Sequence, residues 1–253
     1  GGFSLRPDGP GPYCRKRSNP RKSSYASSLL LELVMFKKLR LLVTAGPTRE
    51  MLDPVRFLSN VSTGQMGYAI ASEAKRMGCQ VTLVSGPTAL MPPSGVQFVP
   101  IVTASDMKRA IVRAWPAVDT LIMTAAVCDY TPVRYSPRKI KRIRQKTIRF
   151  KRTQDILESL GRRKGKRLLV GFALDTEAVL KNAGRKLRQK NLDFIVANWY
   201  GRGHNPFGSN RASMILMART GERKRFRPMA KPRAARALLR VILADEARCS
   251  KRG

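Results

Sequence analysis

Residues 53–60 read Asp-Pro-Val-Arg-Phe-Leu-Ser-Asn, and Ser62-Thr-Gly-Gln-Met-Gly67 follows almost at once. The second stretch opens a segment of helical period. Backbone N–H groups at a helix start have no partner within the helix, and the dipole is positive there. Such a start favours phosphate, and Gly64 and Gly67 permit close approach. Alone, the pattern is equally that of a Ser/Thr cap followed by small packing residues. A second cluster is Ala125-Ala-Val-Cys-Asp-Tyr130 with Lys139-Ile-Lys141 beyond it. An acid just past a strand end, with lysines nine or more residues on, suits a triphosphate and its magnesium. Thr44-Ala-Gly-Pro-Thr-Arg-Glu50 is a turn after the first apolar run, where open α/β sheets take ligands. Lys186 and Lys190, four apart after Gly171-Phe-Ala-Leu-Asp-Thr176, share one helix face and are able to grip phosphates. In a basic chain any of these lysines is as readily a solvated surface charge.

The elements needed to position these groups are legible. Residues 39–44 form a short apolar β-type run, followed by an irregular stretch over 48–63. A helix spans 64–78, with Met66, Ala69, Ile70, Ala74 and Met77 on one face. Strands are expected at 80–85 and 96–102, a helix at 105–115 near a Ser/Thr cap, and a doubly buried strand at 120–127. The basic run 134–152 reads as a charged loop leading into a hairpin or flap, with strand character at 147–151. Beyond it come a short helix at 154–160, strands at 167–173, 194–197 and 213–217, and helices at 177–190 and 232–247. Alternation of this kind predicts an α/β fold: a Rossmann-like, largely parallel sheet with helices on both faces and an extended flap. Residues 1–34 are Gly-, Pro-, Ser- and base-rich and are expected to be extension or disordered sequence before a start at Met35. Residues 35–248 are then a single domain, with 249–253 as a tail.

Composition narrows the partners. Of 253 residues, 50 are Lys or Arg and 16 are Asp or Glu, a net charge of +34 that calls for anionic partners. Hydrophobic residues make up 43%, enough for a sizeable core. Cys14, Cys79, Cys128 and Cys249 form no CxxC pair, and His204 is the single histidine, which argues against a zinc site. The cysteines read as reduced thiols of a cytoplasmic protein, Cys79 and Cys128 inside apolar strands. No apolar run reaches the ~20 residues of a membrane-spanning helix.

Taken in order, the Asp53–Ala69 block, Val84-Ser-Gly-Pro87, the Ala125–Lys141 block, Gly171-Phe-Ala, Lys190-Asn-Leu-Asp193 and Phe207-Gly-Ser209 resemble the phosphopantothenate–cysteine ligase family. The resemblance covers residues 39–247. It implies a ligase that converts 4′-phosphopantothenate into an acyl-nucleotidyl anhydride, using CTP rather than ATP, with Mg2+; cysteine then displaces the nucleotide. It implies Asn60 holding the acyl intermediate, Arg56 clamping substrate, and Ser62, Gly64 and Gly67 in a phosphate cradle. Met123, Thr124, Ala125 and Asp129 would meet the nucleotide, and Gln154, Asp155, Ile156 and Leu157 with Phe172 would enclose its base and ribose. Lys139, on the flap, and Lys186 and Lys190 would neutralise the triphosphate, Lys139 being the one most specific to activation. Cys128 is given no catalytic role. The family also implies a homodimer with the flap reaching the partner, no FMN in this chain, and a separate phosphopantothenoylcysteine decarboxylase as a partner. Gln65 stands where the family commonly has Lys, Asp175 where Glu is usual, Trp199 in place of an acid, and Gln154 in place of Pro.

Two other readings compete. The basic runs 138–152 and 219–231 suit a nucleic-acid-binding protein. Aromatic residues, 7% of the chain, are not interleaved with them, so nucleic-acid contact is expected to be incidental. An NAD(P)-dependent oxidoreductase is disfavoured by the missing GxGxxG fingerprint.

Overall fold

The computed structural model describes residues 36, 39–141, 147–201, 203–207 and 209–249, without the side chains of 245–249. The expectations for residues 1–34, Met35, Cys14, Gly208 and 250–253, and for the side chain of Cys249, lie outside the described residues.

The apolar runs become strands and the helical periods become helices. In chain order these are β1 (Arg40–Ala45), β2 (Arg49–Met51), β3 (Phe57–Ser59), α1 (Gln65–Arg76), β4 (Gln80–Ser85), β5 (Gln97–Pro100), α2 (Ala104–Ala114) and β6 (Thr120–Met123). There follow β7 (Tyr130–Pro132), β8 (Phe150–Arg152), α3 (Ile156–Gly161), β9 (Leu168–Asp175), α4 (Val179–Gln189), β10 (Phe194–Trp199), β11 (Arg211–Ala218), β12 (Arg223–Ala230) and α5 (Lys231–Cys249). Eight strands form one sheet in the order β12-β11-β10-β9-β6-β1-β4-β5. From β10 to β5 every pairing is parallel; β11 and β12 close one edge antiparallel. This is the expected α/β class with its largely parallel sheet.

The central parallel strands β1, β6, β9 and β10 are buried over most of their length because both faces are covered, whereas β5 at the edge stays largely exposed. Leu41, Val43 and Ala45 turn to a core shared with Ile70 and Ala74 of α1 and with Leu238 and Ile242 of α5. Leu42 and Leu121 turn the other way, to Met107 and Ile111 of α2, Leu160 of α3 and Leu187 of α4. α2 opens with a capping box in which Thr103 accepts from Asp106 N and Asp106 accepts from Thr103 N. The buried carboxylate of Glu50 accepts a further N–H of the same turn, that of Ala104, at 2.7 Å.

Several expectations are corrected. Residues 48–63 are not wholly irregular: β2 and β3 pair as an antiparallel hairpin. Each of its strands is only three residues long, too short to stand out from turn-like neighbours. The 120–127 run is strand only to Met123, because beyond it the chain bonds to the turn after β1 instead of to a neighbour in the sheet. The basic stretch 219–231 is largely β12, an edge strand that buries only Phe226. Cys79 and Cys128 are buried free thiols, but Cys79 lies in the turn before β4 and Cys128 in the loop after β6. Burial pushes the Cys79 thiol up to about 11. The flap is formed: β7 and β8 pair antiparallel outside the main sheet.

Candidate active site

β1 and β6 are neighbours, yet the chain leaves β1 for α1 on one face and leaves β6 for the flap and α3 on the other. Where connections diverge like this, a crevice opens at the carboxyl ends of the strands. Past the sheet the two strand ends remain stitched together. The Thr124 hydroxyl donates to the Thr44 carbonyl at 2.5 Å, and Ala125 N donates to the Thr44 hydroxyl at 3.2 Å. Ala126 N donates to Gly46 O at 3.0 Å, and Cys128 N donates to the Thr48 hydroxyl at 2.9 Å. Met123, Thr124 and Ala125 therefore stand beside the turn after β1. Gly171 of β9 pairs with Met123, so Phe172 stands at the same sheet edge.

The β2–β3 hairpin delivers Asn60 to this edge. Ser59 donates its hydroxyl to Thr48 O at 2.8 Å, and the Asn60 amide donates to Ala126 O at 3.1 Å. The same amide lies 4.0 Å from the Cys128 sulfur. The Cys128 thiol is pushed up, chiefly by burial, and directs its hydrogen towards carbonyls of Thr48 and Leu58. A protonated, enclosed thiol is a poor nucleophile. Asp129, the next residue, is exposed, and its carbonyl accepts from Thr153 N at the flap base.

Arg56 has a job that residue pattern alone did not show. Its guanidinium pairs with the buried Asp53 at 2.7 Å and also donates to Ile140 O. Asp53 accepts in addition from the backbone N–H of Val55, Arg56 and Ile140. Burial would raise this carboxyl, but the hydrogen bonds from Ile140, Val55 and Arg56 outweigh it and hold it well below the usual carboxylate range. The pair clips residues 139–141 to the hairpin, which places Lys139 next to a fixed backbone position while its side chain stays exposed. Tyr135 and Lys139 happen to stand at the Tyr-x-x-x-Lys spacing of some oxidoreductases. The backbone there is not helical, so a spacing of four gives them no common face.

α1 begins without a cap. Gly64 sits at φ 77°, no side chain accepts from the first turn, and that turn holds no acid. Ser62 accepts from Gly64 N at 3.3 Å, outside the helix. Gly67 is needed for contact: a Cβ there would come within 2.5 Å of the Thr124 hydroxyl and 2.6 Å of Ala45 Cβ. The uncapped amides thus lie against the β1 and β6 ends. Lys231, which sequence reasoning left inside the basic stretch, donates to Gln65 at 2.6 Å. Pro232 directly after it was the available sign, since Pro at a helix start puts its neighbour at the sheet end of α5.

Other expected residues are placed less directly. Asp155 caps α3 through Glu158 N and pairs with Lys190 at 2.7 Å. Lys186 pairs with Asp175 at 3.1 Å. Gln154 accepts from Lys108 of α2. Ile156 and Leu157 are core residues on the α2–α4 face, whereas Phe172 packs on the α1–α5 face. The sheet separates them, so any shared pocket would use the backbone of residues 154–157 and not their apolar side chains. His204 stacks on Trp199 at 4.1 Å and its Nε2 lies 3.1 Å from Asn198 Oδ1. Among the described residues no group of three or more His, Cys, Asp or Glu is arranged to hold a metal, and no helix is long and apolar enough to cross a membrane.

Known proteins are similar in sequence and share the fold. The family model described as the DNA/pantothenate metabolism flavoprotein C-terminal domain matches residues 36–245. The chain is 41% identical over 204 residues to the coenzyme A biosynthesis bifunctional protein CoaBC of Bacillus subtilis (strain 168), covering 80% of this chain and 50% of that protein. It thus spans about half the length of that curated relative. A crystal structure of the C-terminal domain of a CoaBC protein is 40% identical, with a TM-score of 0.71 over 82% of this chain and 95% of that one. A structure of a Cab2 H337A mutant in complex with phosphopantothenate-cysteine shares the fold alone: 14% identity and a TM-score of 0.72 over 92% of this chain and 94% of that one.

Proposed function

The chain belongs to the family of DNA/pantothenate metabolism flavoprotein C-terminal domains, and on that footing we propose that it is a phosphopantothenate–cysteine ligase of coenzyme A biosynthesis. One observation carries the reading: Asn60 is bonded to the loop after β6, on the same stretch of chain that runs on into an uncapped helix start and, through Asp53, holds the flap segment of Lys139. Amide, helix start and ammonium suit a reaction whose partners are phosphates and an activated carboxylate.

A carboxylate is a poor electrophile. One of its oxygens attacks the α-phosphorus of the nucleotide, forming an acyl-nucleotidyl anhydride as pyrophosphate leaves. The cysteine amine then attacks the acyl carbon, loses a proton, and expels the nucleoside monophosphate. Lys139, exposed on the flap, would draw charge from the leaving pyrophosphate. Asn60 would donate to the acyl oxygen as it becomes anionic, held for that by Ala126. The start of α1, with Ser62, Gly64 and Gly67, would receive a phosphate. CTP is our choice of nucleotide. Mg2+ would arrive on its phosphates, and the residues fit a weakly held ion: Asp129 is one exposed carboxylate at the flap base, and among the described residues no cluster of metal-ligating side chains surrounds it. Lys186 and Lys190 would act through the electrostatics of their pairs with Asp175 and Asp155, and Arg56 by holding the flap.

A homodimer is part of the proposal. Phe57, Leu58 and Val61 near the hairpin, and Val133, Tyr135 and Phe150 on the flap, are exposed large apolar residues. Such a patch favours a protein partner. Two unpaired buried thiols fit a cytoplasmic setting, and the product would pass to a phosphopantothenoylcysteine decarboxylase.

The test is pyrophosphate release from CTP or ATP, with and without phosphopantothenate and cysteine. Release that needs phosphopantothenate is expected. Mass analysis should find no anhydride with Lys139→Ala, and anhydride that is slowly consumed with Asn60→Ala. Wild-type rates in both variants would remove the roles assigned here; salt-sensitive nucleic-acid binding without turnover would favour the nucleic-acid reading.

A further inference from the structure

Lys231 opens α5, its N–H bonded to Asn210 O at 3.0 Å, and its side chain points away from solvent. Only 7% of it is exposed. The ammonium donates to Gln65 Oε1 at 2.6 Å and to Pro206 O at 3.2 Å, two neutral acceptors. Among the described residues no carboxylate comes within ion-pairing distance; the nearest acid of α1, Glu73, is held by Arg76 and Arg236. Burial pushes the Lys231 ammonium down from its ordinary value. A buried charge normally has a counter-charge, because neutral acceptors recover only part of the lost hydration.

The place of this charge matters. Gln65 is the first residue of α1, whose first turn is uncapped and carries no acid. Two positive features, the helix start and the ammonium, therefore meet without any negative group from the described protein. Two of the three ammonium hydrogens have acceptors, and the charge remains to be balanced. Gln65 itself cannot balance it. A bound anion would.

We propose that Lys231 is a phosphate-positioning residue: it pins the first residue of α1 to the 203–207 segment and supplies a buried positive charge for the phosphate ester or phosphoanhydride received at that helix start. This rests on the assignment of the α1 start to phosphate under the proposed function. The two phosphate sources, phosphopantothenate and the nucleotide triphosphate, share the chemistry and are separated by the assay.

Three variants test it: Lys231→Met, which keeps the chain length; Lys231→Arg, which keeps the charge; and Gln65→Glu, which gives Lys231 a fixed counter-ion. KM is measured separately for phosphopantothenate and CTP, and melting temperature with and without inorganic pyrophosphate. Lys231→Met should raise one KM by about tenfold or more, the scale of a lost charge-assisted hydrogen bond, with kcat changed less. Whichever KM moves identifies the phosphate. Lys231→Arg should recover part of the loss. Gln65→Glu should raise the melting temperature while raising the same KM, a combination that a purely structural role does not produce. Both KM values within roughly twofold of wild type in Lys231→Met, or an unchanged KM in Gln65→Glu, would overturn the proposal. If the wild type shows no phosphopantothenate-dependent turnover, the ligase reading fails and pyrophosphate decides the matter for Lys231 alone. Stabilisation of the wild type that Lys231→Met loses supports the assignment; equal stabilisation of both, or of neither, refutes it.

Discussion

Replacing Gly67 by Ala sets two effects of opposite sign against each other. Gly67 is a helical residue with no positive φ, so Ala should gain about 0.8–1 kcal/mol of helix propensity. Against this, the new methyl would lie 2.5 Å from the Thr124 hydroxyl, 2.6 Å from Ala45 Cβ and 2.9 Å from the Thr44 carbonyl. Ordinary carbon contacts begin near ~3.5 Å, so α1 must retreat by about 1 Å from the ends of β1 and β6. Overpacking of this kind costs about 1–3 kcal/mol. The carbonyl is backbone and Ala45 is core, so neither yields cheaply, and the steric effect wins. A net loss of up to about 2 kcal/mol corresponds to a fall in melting temperature of up to roughly 8 °C for a chain of this size. A retreat of that size at the helix start should lower kcat/KM by about 10²-fold. Gly184→Ala is the internal control: its Cβ would meet Arg188 Nη1 at 3.6 Å and Met217 Cε at 3.7 Å, ordinary contacts. It should be neutral or stabilising by up to about 1 kcal/mol, with activity unchanged. Calorimetry and steady-state kinetics on both variants decide. A Gly67→Ala protein as stable and active as the wild type would show that α1 is not pressed against the strand ends, and the close-approach argument would fall.

Three further outcomes are expected. Asp53→Asn should loosen residues 139–141, seen as faster backbone hydrogen exchange there and lower kcat. Because folding depresses the Asp53 carboxyl, its contribution to stability is present above the unfolded pKa near ~3.9 and fades as pH falls below that. The stability gap between wild type and Asp53→Asn should therefore narrow in acid; a constant gap down to about pH 2 would contradict the charge assignment. Replacing Arg223, Lys224, Arg225 and Arg227 by Gln should weaken retention on heparin and its salt dependence, without changing turnover; unchanged retention would mean that the charge acts elsewhere. In a Cys14→Ser, Cys249→Ser background, Cys79 and Cys128 should react with a thiol reagent only on unfolding, and rapid labelling of the native protein would contradict their burial.

How far these features were legible depended on whether the deciding force is local. The central parallel strands announce themselves because burial on both faces favours long apolar runs, and α2 because Thr103 and Asp106 write its cap into the sequence. β12 did not, since an edge strand burying one residue, Phe226, looks like any basic loop. Asn60 was found through a motif, but its acceptor, Ala126, lies 66 positions further along the chain and is brought to it only by the fold. The sheet between Phe172 and Leu157 was likewise invisible, because alternation around Gly171 assigns faces only once the neighbours of β9 are known. Lys231 shows the limit most clearly. In composition it is one cation among 50, and only the fold buries it.

The outer strand of the sheet has a bearing on assembly. β12 ends the hydrogen-bonded ladder with a rim of guanidinium and ammonium groups, from Arg223 through Arg227. Two molecules joining rim to rim would crowd like charges along the seam, so self-association by sheet extension is opposed at moderate ionic strength. Under the proposed homodimer, the side of the molecule bearing the exposed apolar residues of the hairpin and flap would then be the face on which copies meet, and raising the salt should weaken that choice.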